Sequence, residues 1–405
     1  MVSGMKDIVV HKYGGASLKD PRQLRNCAEN IRKVYCQGFR PVVVVSAMGR
    51  RGDPYATDTF LDLAAAISSR PALRELDLLM ACGELVSATL LAVQLQELGC
   101  RAMTLTGSQA GIITDNNHGN AEILAVEIKR IKHVVDSGII PVICGFQGVS
   151  ESGELTTLGR GGSDITAVAV AAALKLESAT IYTDVPGVKT ADPKIVANAL
   201  PIYRLNYQEI LEMAVEGAKI IHPRAVERAM ADDIRLIITS LANNSPPTEI
   251  GPRHGIPRKE GDTIRAITHR LGITQFQVRL EPEKLSVLLE DISARGISTD
   301  LIFLSDSTHS FTVSEQAADE VEKILRANNI EPTRRNSCCR VSLIGTGIRG
   351  IPGVMTKIYK PLTEKKIPVY HTSDSYTQIA LLIPEQHLVE ALNCLHQVFF
   401  GEVKA

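Results

Sequence analysis

Residues 156–176 read TTLGRGGSDITAVAVAAALKL. Three glycines surround Arg160, Asp164 follows Ser163, and an alanine- and valine-rich run comes next. Glycine weakens regular structure, so such clustering marks a place where the backbone must come close to something. Ser163 is placed to cap the helix SDITAVAVAAALKL, and Asp164 would sit in its first turn, where a carboxylate suits the helix dipole. The N–H groups of that turn and of Gly161 and Gly162 favour an anion. Arg160 offers a planar fork for a carboxylate or a phosphate. Taken alone, the segment fits a capped helix after a loop as well as it fits a binding site.

Outward from this stretch, the first 240 residues alternate apolar strand-like runs with helical segments. IVVHKYG, RPVVVVSAM, AMTLTG, IIPVICGF and ATIYTDV read as strands, because β-branched residues in them end at glycine or turn chemistry. QLRNCAENIRKVYC and LDLLMACGELVSATLLAVQLQEL read as helices. The alternation predicts an α/β domain, a mainly parallel sheet sandwiched by helices. Ligands of such sheets bind outside the carboxyl ends of the strands, which is where the glycine-rich stretches fall.

A second such stretch is HKYGGAS, residues 11–17, after the first strand. Lys12 stands at the strand end, Gly14 and Gly15 let the backbone turn closely, and Ser17 can cap the next helix. The pattern is neither the P-loop nor the dinucleotide fingerprint, and neither H-R-D nor D-F-G of protein kinases occurs. A lysine beside a glycine pair suits phosphate contact, but the signal is weak by itself.

LANNSPPTEIGPRHGIPRKEGD, residues 241–262, is rich in Pro, Asn, Gly and charge and reads as a domain boundary. Beyond it the chain nearly repeats itself. ISARGIS is followed by SDS at 305 and SEQ at 314; LTEKKIP is followed by SDS at 373 and PEQ at 384. Ile297 and Ile367 lie 70 residues apart, as do Glu315 and Glu385. Each copy offers a strand, a helix, strands and a second helix. Two copies of a small α+β module fit better than a solenoid, which needs more repeats. The expected organisation is a catalytic domain over 1–245, a linker over 246–264, and two modules over 265–335 and 336–405.

Composition narrows the partners. The 405 residues carry 44 basic against 45 acidic groups, with no Lys/Arg block to grip a polyanion, so nucleic acid is a poor partner. The start MVSGMKDIVVHKYGG lacks the apolar core of a secretory signal, and no run approaches ~18 uninterrupted apolar residues, which argues against a membrane partner. Eight cysteines form no C-x-x-C pair, and scattered thiols point to a reducing, cytoplasmic setting. The neighbours Cys338 and Cys339 read as packing residues. No H-x-x-x-H or Cys/His cluster offers a zinc site.

Six motifs occur in one order: HKYGGAS, SAMGRRGDPYATD, GELVS, TTLGRGGSD, TDVPGVKTADPK and GAKIIHPRAVE. Together they resemble the aspartate kinases, whose motifs run K-[FY]-G-G-T-S, G-E, T-L-G-R-G-G-S-D, T-D-V-D-G-V-Y-T-A-D-P-R and G-A-K-V-[IL]-H-P. The likeness covers nearly the whole chain, because members of this length carry two regulatory ACT domains, and the doubled tail fits. The form SAMGRRGDPYATD is similar to Bacillus-type, monofunctional members. The resemblance implies the amino-acid-kinase fold and ATP-dependent phosphorylation of the β-carboxylate of L-aspartate to 4-phospho-L-aspartate. That reaction opens lysine, threonine, methionine and diaminopimelate biosynthesis.

It also implies roles. Lys12 would bridge the phosphates and stabilise the transition state, and Asp164 would orient it. Arg160 would bind a substrate carboxylate and Glu84 the amino group, with Thr57, Asp58, Gly161, Gly162 and Ser163 also lining the substrate. The nucleotide would meet Lys12, Tyr13, Gly14, Gly15, Ser46, Ser163, Thr183, Asp184, Lys189, Asp192, Pro193, Lys194 and Lys219. ATP would bring Mg²⁺ on its phosphates, and no protein ligand to the metal is expected. His222 precedes a proline and suits a structural role as well as a ligand contact. Four positions depart from the family pattern: Ala16 replaces threonine, Pro186 an acidic residue, Lys189 a tyrosine and Lys194 an arginine. Lysine at 194 keeps the charge but loses the planar fork.

The tail modules resemble ACT domains, which pair to bind small amino acids and imply at least a dimer. Ser298 and Asp300 in GISTD, and Ile351, Pro352, Gly353 and Val354 in GTGIRGIPGV, resemble loop-to-helix regions where effectors bind. Lysine, threonine and meso-diaminopimelate are the candidate feedback effectors. Three competing readings are a glutamate or acetylglutamate kinase of the same fold, a non-catalytic amino-acid sensor, and a fusion with a homoserine dehydrogenase. The ordered motif set argues against the first, and Lys12, Arg160 and Asp164 against the second. The chain length leaves no room for a dinucleotide domain, which excludes the third.

Overall fold

Strand Ile8–Tyr13 runs through the middle of an eight-stranded sheet in the computed structural model, which describes residues 7–185, 187–218, 220–241, 246–252, 264–305, 307–349 and 351–401. From edge to edge the strands are Arg204–Asn206, Thr248–Gly251, Arg235–Thr239, Ser178–Tyr182, Ile8–Tyr13, Arg40–Val45, Ile140–Cys144 and Ala102–Leu105. All neighbours are parallel except Arg235–Thr239 and Thr248–Gly251. The five strands read from the sequence lie in this sheet, and the α/β class is the one observed. Arg40–Val45 and Ile140–Cys144 are continuous apolar runs because both of their faces are covered.

The sheet faces are set by register. Lys12 pairs with Val44 and Ile181, and Tyr13 with Val45 and Tyr182. Tyr13, Val43 and Val45 join a core cluster with Leu91 and Leu95 of helix Leu73–Glu97 and Ile31 of helix Pro21–Cys36. Side chains alternate along a strand, so Lys12 leaves the opposite face. That face carries helix Gly162–Ala173, whose Ser163 approaches Val44 at Gly145.

Helix Pro21–Cys36 shows how the sequence makes these elements. Pro21 fits the first turn, Asp20 accepts a hydrogen bond from Gln23 N at 2.9 Å, and Leu24, Cys27, Ala28 and Ile31 form one buried stripe. Ser17 does not cap it; Ser17 is buried in a short 3-10 turn, Gly15–Ser17. Helix Leu73–Glu97 is the one helix among the described residues long and apolar enough to cross a bilayer by length and composition. It is used here as a core helix, with Asp77 and Glu84 buried on it. A four-stranded sheet, Ile123–Val126, Ile112–Thr114, Gln147–Ser150 and Leu155–Thr157, delivers the chain to the glycine-rich turn at 159.

Two compact units emerge. The first takes residues up to 188, 201–214 and 219–257; the second takes 189–200, 215–218 and 258–405. Two short pieces of the 1–245 span thus pack with the second unit. The 246–264 span is not all linker, because Thr248–Gly251 is a sheet strand with Ile250 fully buried.

The second unit holds one six-stranded sheet built from two copies of the same order of elements. The first copy runs Ala266–Arg279, helix Pro282–Ala294, Asp300–Phe303, Thr308–Ser314 and helix Glu315–Ala327. The second runs Thr333–Ile344, helix Val354–Glu364, His371–Asp374, Gln378–Pro384 and helix Leu388–Phe400. Their first strands pair antiparallel and fuse the copies. Each keeps its own core: Phe276, Leu288, Phe311 and Val321 in one, Leu343, Ile358, Leu381 and Leu395 in the other. Ala191, Val196 and Ala199 of the 189–200 piece enter the second core. Cys338 and Cys339 are both buried on alternate faces of one strand, which packing explains.

Candidate active site

The first strand carries Lys12 near its carboxyl end, and Lys12 Nζ lies 2.6 Å from Asp164 Oδ1 at the start of helix Gly162–Ala173. Both side chains are about nine-tenths buried. The turn after Lys12 is held from two sides. Gly14 N donates to Tyr182 O at 3.1 Å, and Gly49 N donates to Gly15 O at 3.0 Å. A Cβ on Gly15 would stand 2.4 Å from Ala47 O, so only glycine lets the two loops meet this closely.

Glu84 closes the next side. It is fully buried; Oε1 accepts Ala47 N at 2.9 Å while Oε2 is buried with no hydrogen-bond partner. Burial pushes its carboxyl up to about 8, against the smaller opposing effect of the Ala47 N–H. Ser87, one turn on, donates to Ser46 O at 2.7 Å, and Ser46 N donates to Tyr13 O. Strand ends and helix are thereby locked together. Thr57 and Asp58 open helix Thr57–Ile67, whose Phe60 approaches Gly83, the neighbour of Glu84.

The glycine-rich turn differs from its expected geometry. Gly161, not Ser163, caps the helix: it has φ 75°, its carbonyl accepts Asp164 N, and no side chain caps the helix. The left-handed conformation belongs to glycine, and a Cβ there would lie 2.4 Å from His222 Cβ. Ser163 is already inside the first turn. Arg160 is exposed, and His222 senses its charge and that of Asp164. Burial and Arg224 lower the pKa of His222, whose Nδ1 accepts Arg224 N at 3.4 Å as the cap of helix Pro223–Ala231.

Other expected residues make contacts of their own. Tyr13 turns its ring into the core, stacked on Tyr182 at 4.6 Å with its hydroxyl donating to Asn30, so only its backbone faces the site. Thr183 Oγ1 donates to Asp184 Oδ1, and Asp184 is paired with Arg50. Lys189, Asp192, Pro193 and Lys194 belong to the second unit; Asp192 turns the chain there by accepting Lys194 N, and Pro193 and Lys194 are exposed. Lys219 and Pro186 lie outside the described residues. Ser298 is exposed, and Asp300 is half-exposed and hydrogen-bonded to Arg340. Burial would raise the Asp300 carboxyl, but Arg340 brings it below the usual range. GISTD follows helix Pro282–Ala294, whereas Ile351–Gly353 precede helix Val354–Glu364 with Gly353 as its left-handed cap, so the two segments are not equivalent in the repeat.

Sequence reading missed the groups that hold the Arg160 turn. Asp77 is fully buried and accepts Gly119 N, Thr157 Oγ1 and His118. Arg224 donates to Leu158 O at 2.5 Å and to Asn120 Oδ1 at 2.7 Å. An acidic residue inside the apolar run LDLLMACGELVS, seven residues before Glu84, was the available signal for Asp77; Arg224 shows itself only through tertiary contact.

Comparison with known proteins agrees with this arrangement. Residues 7–240 match the amino acid kinase family, and residues 334–397 match the ACT domain. Aspartokinase 1 of Bacillus subtilis is 40% identical over 97% of this chain and 98% of its own length. The aspartokinase of Geobacillus stearothermophilus is 37% identical over 97% of both chains. Among solved structures, Clostridium acetobutylicum aspartate kinase superposes with a TM-score of 0.80 at 21% identity over 96% of this chain and all of that one. E. coli aspartokinase III bound to aspartate and ADP superposes with 0.75 at 24% identity over 97% and 100%. A kinase fold with its lysine–aspartate pair at the strand ends, a doubled ACT-type tail, and relatives alike from end to end place this chain in the aspartokinase family.

Proposed function

We propose that this aspartokinase works by holding two anions in line between fixed cations. The observation that carries this reading is the buried Lys12–Asp164 pair at the mouth of the glycine turn. The β-carboxylate of aspartate has a reference pKa near ~4 and is ionised at neutral pH, so no strong base is needed. An oxygen of that carboxylate forms a bond to the γ-phosphorus of ATP as the bond to the β–γ bridging oxygen breaks, and ADP leaves with the electron pair. Charge moves toward ADP, and Lys12 is the fixed cation that meets it. Asp164 holds the ammonium in place. The turns at Gly14–Gly15 and Gly161–Gly162 let the backbone come close to the phosphates. Arg160 takes a substrate carboxylate. Glu84 takes the ammonium on its unpaired oxygen, and Thr57, Asp58 and Ser163 border the same substrate.

For the nucleotide, Ser46 and Thr183 line the strand ends, while Lys189, Asp192, Pro193, Lys194 and Lys219 follow from the motif. Mg²⁺ would come on the phosphates of ATP, where it would screen their charge. The feedback effector is an amino acid bound by the ACT-type unit through Asp300 and Ser298 or Ile351–Val354, and the protein acts as a homo-oligomer. An ADP-release assay with aspartate and glutamate, repeated with lysine, threonine and meso-diaminopimelate singly and together, tests this. Turnover with aspartate and inhibition by at least one amino acid are expected; equal turnover with glutamate contradicts the substrate assignment.

A further inference from the structure

A buried charge cluster in the second unit lies outside the chemistry described above. Arg340 Nη1 donates to Glu216 Oε1 at 2.9 Å, and Ser342 Oγ donates to Glu216 Oε2 at 2.8 Å. The Arg340 and Glu216 side chains are 6% and 5% exposed. Through Nη2, Arg340 also bonds Asp300 Oδ2, whose side chain is 52% exposed. Gly217 is pressed on the sheet, because a Cβ there would stand 2.3 Å from His269 O.

The positions of these groups in the chain matter. Glu216 and Gly217 belong to the 215–218 turn that leads straight into GAKIIHP, the motif assigned to the nucleotide. Arg340 belongs to the second ACT-type copy, and Asp300 to the first. Apolar residues of equal volume would hold such a turn as well as a buried ion pair, so the pair gains its significance from what it responds to. Only Asp300 among the three carries an oxygen-bearing side chain that solute can reach. An ammonium drawn to Asp300 competes for a partner of Arg340, and Arg340 is the cation paired with Glu216 among the described residues.

We propose that Arg340 is a positioning residue that sets the 215–218 turn for ATP binding and resets it when an amino-acid effector engages Asp300. This rests on the assignments of Asp300 to the effector and GAKIIHP to the nucleotide.

The test uses the full-length chain with Glu216→Gln, Arg340→Gln, Arg340→Lys, Asp300→Asn and the double variant Glu216→Gln/Arg340→Gln. ATP affinity is measured by calorimetry without aspartate, KM for aspartate by ADP release, and half-inhibition with lysine, threonine and meso-diaminopimelate separately. Glu216→Gln and Arg340→Gln are expected to weaken ATP binding about tenfold, within the usual range of coupling between sites, with KM for aspartate nearly unchanged. The double variant should be no worse than either single one, and Arg340→Lys should recover part of the loss. Asp300→Asn should blunt inhibition. ATP affinity within twofold of wild type in folded Glu216→Gln and Arg340→Gln overturns the proposal. Equal loss of ATP affinity and aspartate KM with a lowered melting temperature also overturns it, since that marks a merely structural pair. If no amino acid inhibits the wild type, the effector assignment fails while the ATP measurement still decides the role of Arg340.

Discussion

Asp164 Oδ1 lies 2.6 Å from Lys12 Nζ, so one ion pair ties the end of the central strand to the start of helix Gly162–Ala173. Neither partner is exposed enough for water to replace the other. Asp164→Asn keeps the shape and removes the charge. Turnover should fall about a hundredfold, the scale for losing one preorganised electrostatic group. Stability should drop as well, because Lys12 is left buried without its counter-charge. Steady-state kinetics and thermal melts check both; a folded variant with wild-type turnover refutes the orienting role.

Glu84 makes substrate binding depend on pH. Its carboxyl is raised to about 8 by burial, so at neutral pH the empty site is mostly protonated. Pairing with an ammonium needs the carboxylate, so aspartate binding should release a proton. KM for aspartate should fall as pH rises toward about 8 and level off above it. The folded protein holds this proton more tightly than the unfolded chain. The resulting stability is present at low pH and lost as pH rises through about 8, and added aspartate should restore it. Glu84→Gln should abolish the slope and raise KM about ten- to a hundredfold, from roughly 1.5–3 kcal/mol for a charge-assisted bond. A KM unchanged across this range in the wild type contradicts the assignment.

Gly161 has no tolerable substitute. Its φ of 75° and the His222 side chain against its Cα both exclude a Cβ. Gly161→Ala should shift the Arg160 turn, raise KM for aspartate at least tenfold and lower the melting temperature, since the new Cβ both strains the backbone and meets His222. Matching KM values would show that the turn does not serve the substrate.

Truncation should cost more than regulation. Ala191, Val196 and Ala199 are buried in the core formed with Leu343, Ile358, Leu381 and Leu395. A chain ending at 263 exposes them. It should lose effector response and also bind ATP markedly more weakly, as calorimetry would register. A monomeric truncated protein with wild-type ATP affinity contradicts this; one still inhibited by the same amino acid contradicts the location of the effector site.

The strands, the long helices and the lysine of the first turn were legible in the sequence because each is a local pattern: apolar runs closed by glycine, helical segments between them, a lysine beside a glycine pair, a repeat 70 residues long. The caps were not. Ser163 and Ser17 have suitable chemistry, yet a left-handed glycine and Asp20 hold those positions, since backbone conformation decides where a helix begins. Tyr13 reads as a site residue by position, but strand alternation turns its ring into the core. The strand Thr248–Gly251 was hidden in a proline-rich stretch, and Ile250 is its only strong apolar signal. Asp77, Arg224, Glu216 and Arg340 meet their partners only in the folded chain, across distances no local pattern records.

Lys12 is the group on which phosphoryl transfer depends most directly. Single-turnover transfer of the γ-phosphoryl group to aspartate, trapped as the hydroxamate, should be compared in wild type, Lys12→Ala and Arg160→Ala, with folding checked by circular dichroism. Lys12→Ala is expected to lose at least about a hundredfold in rate with aspartate still bound, and Arg160→Ala to lose aspartate affinity first. A folded Lys12→Ala protein that transfers phosphate at the wild-type rate would contradict the mechanism outright.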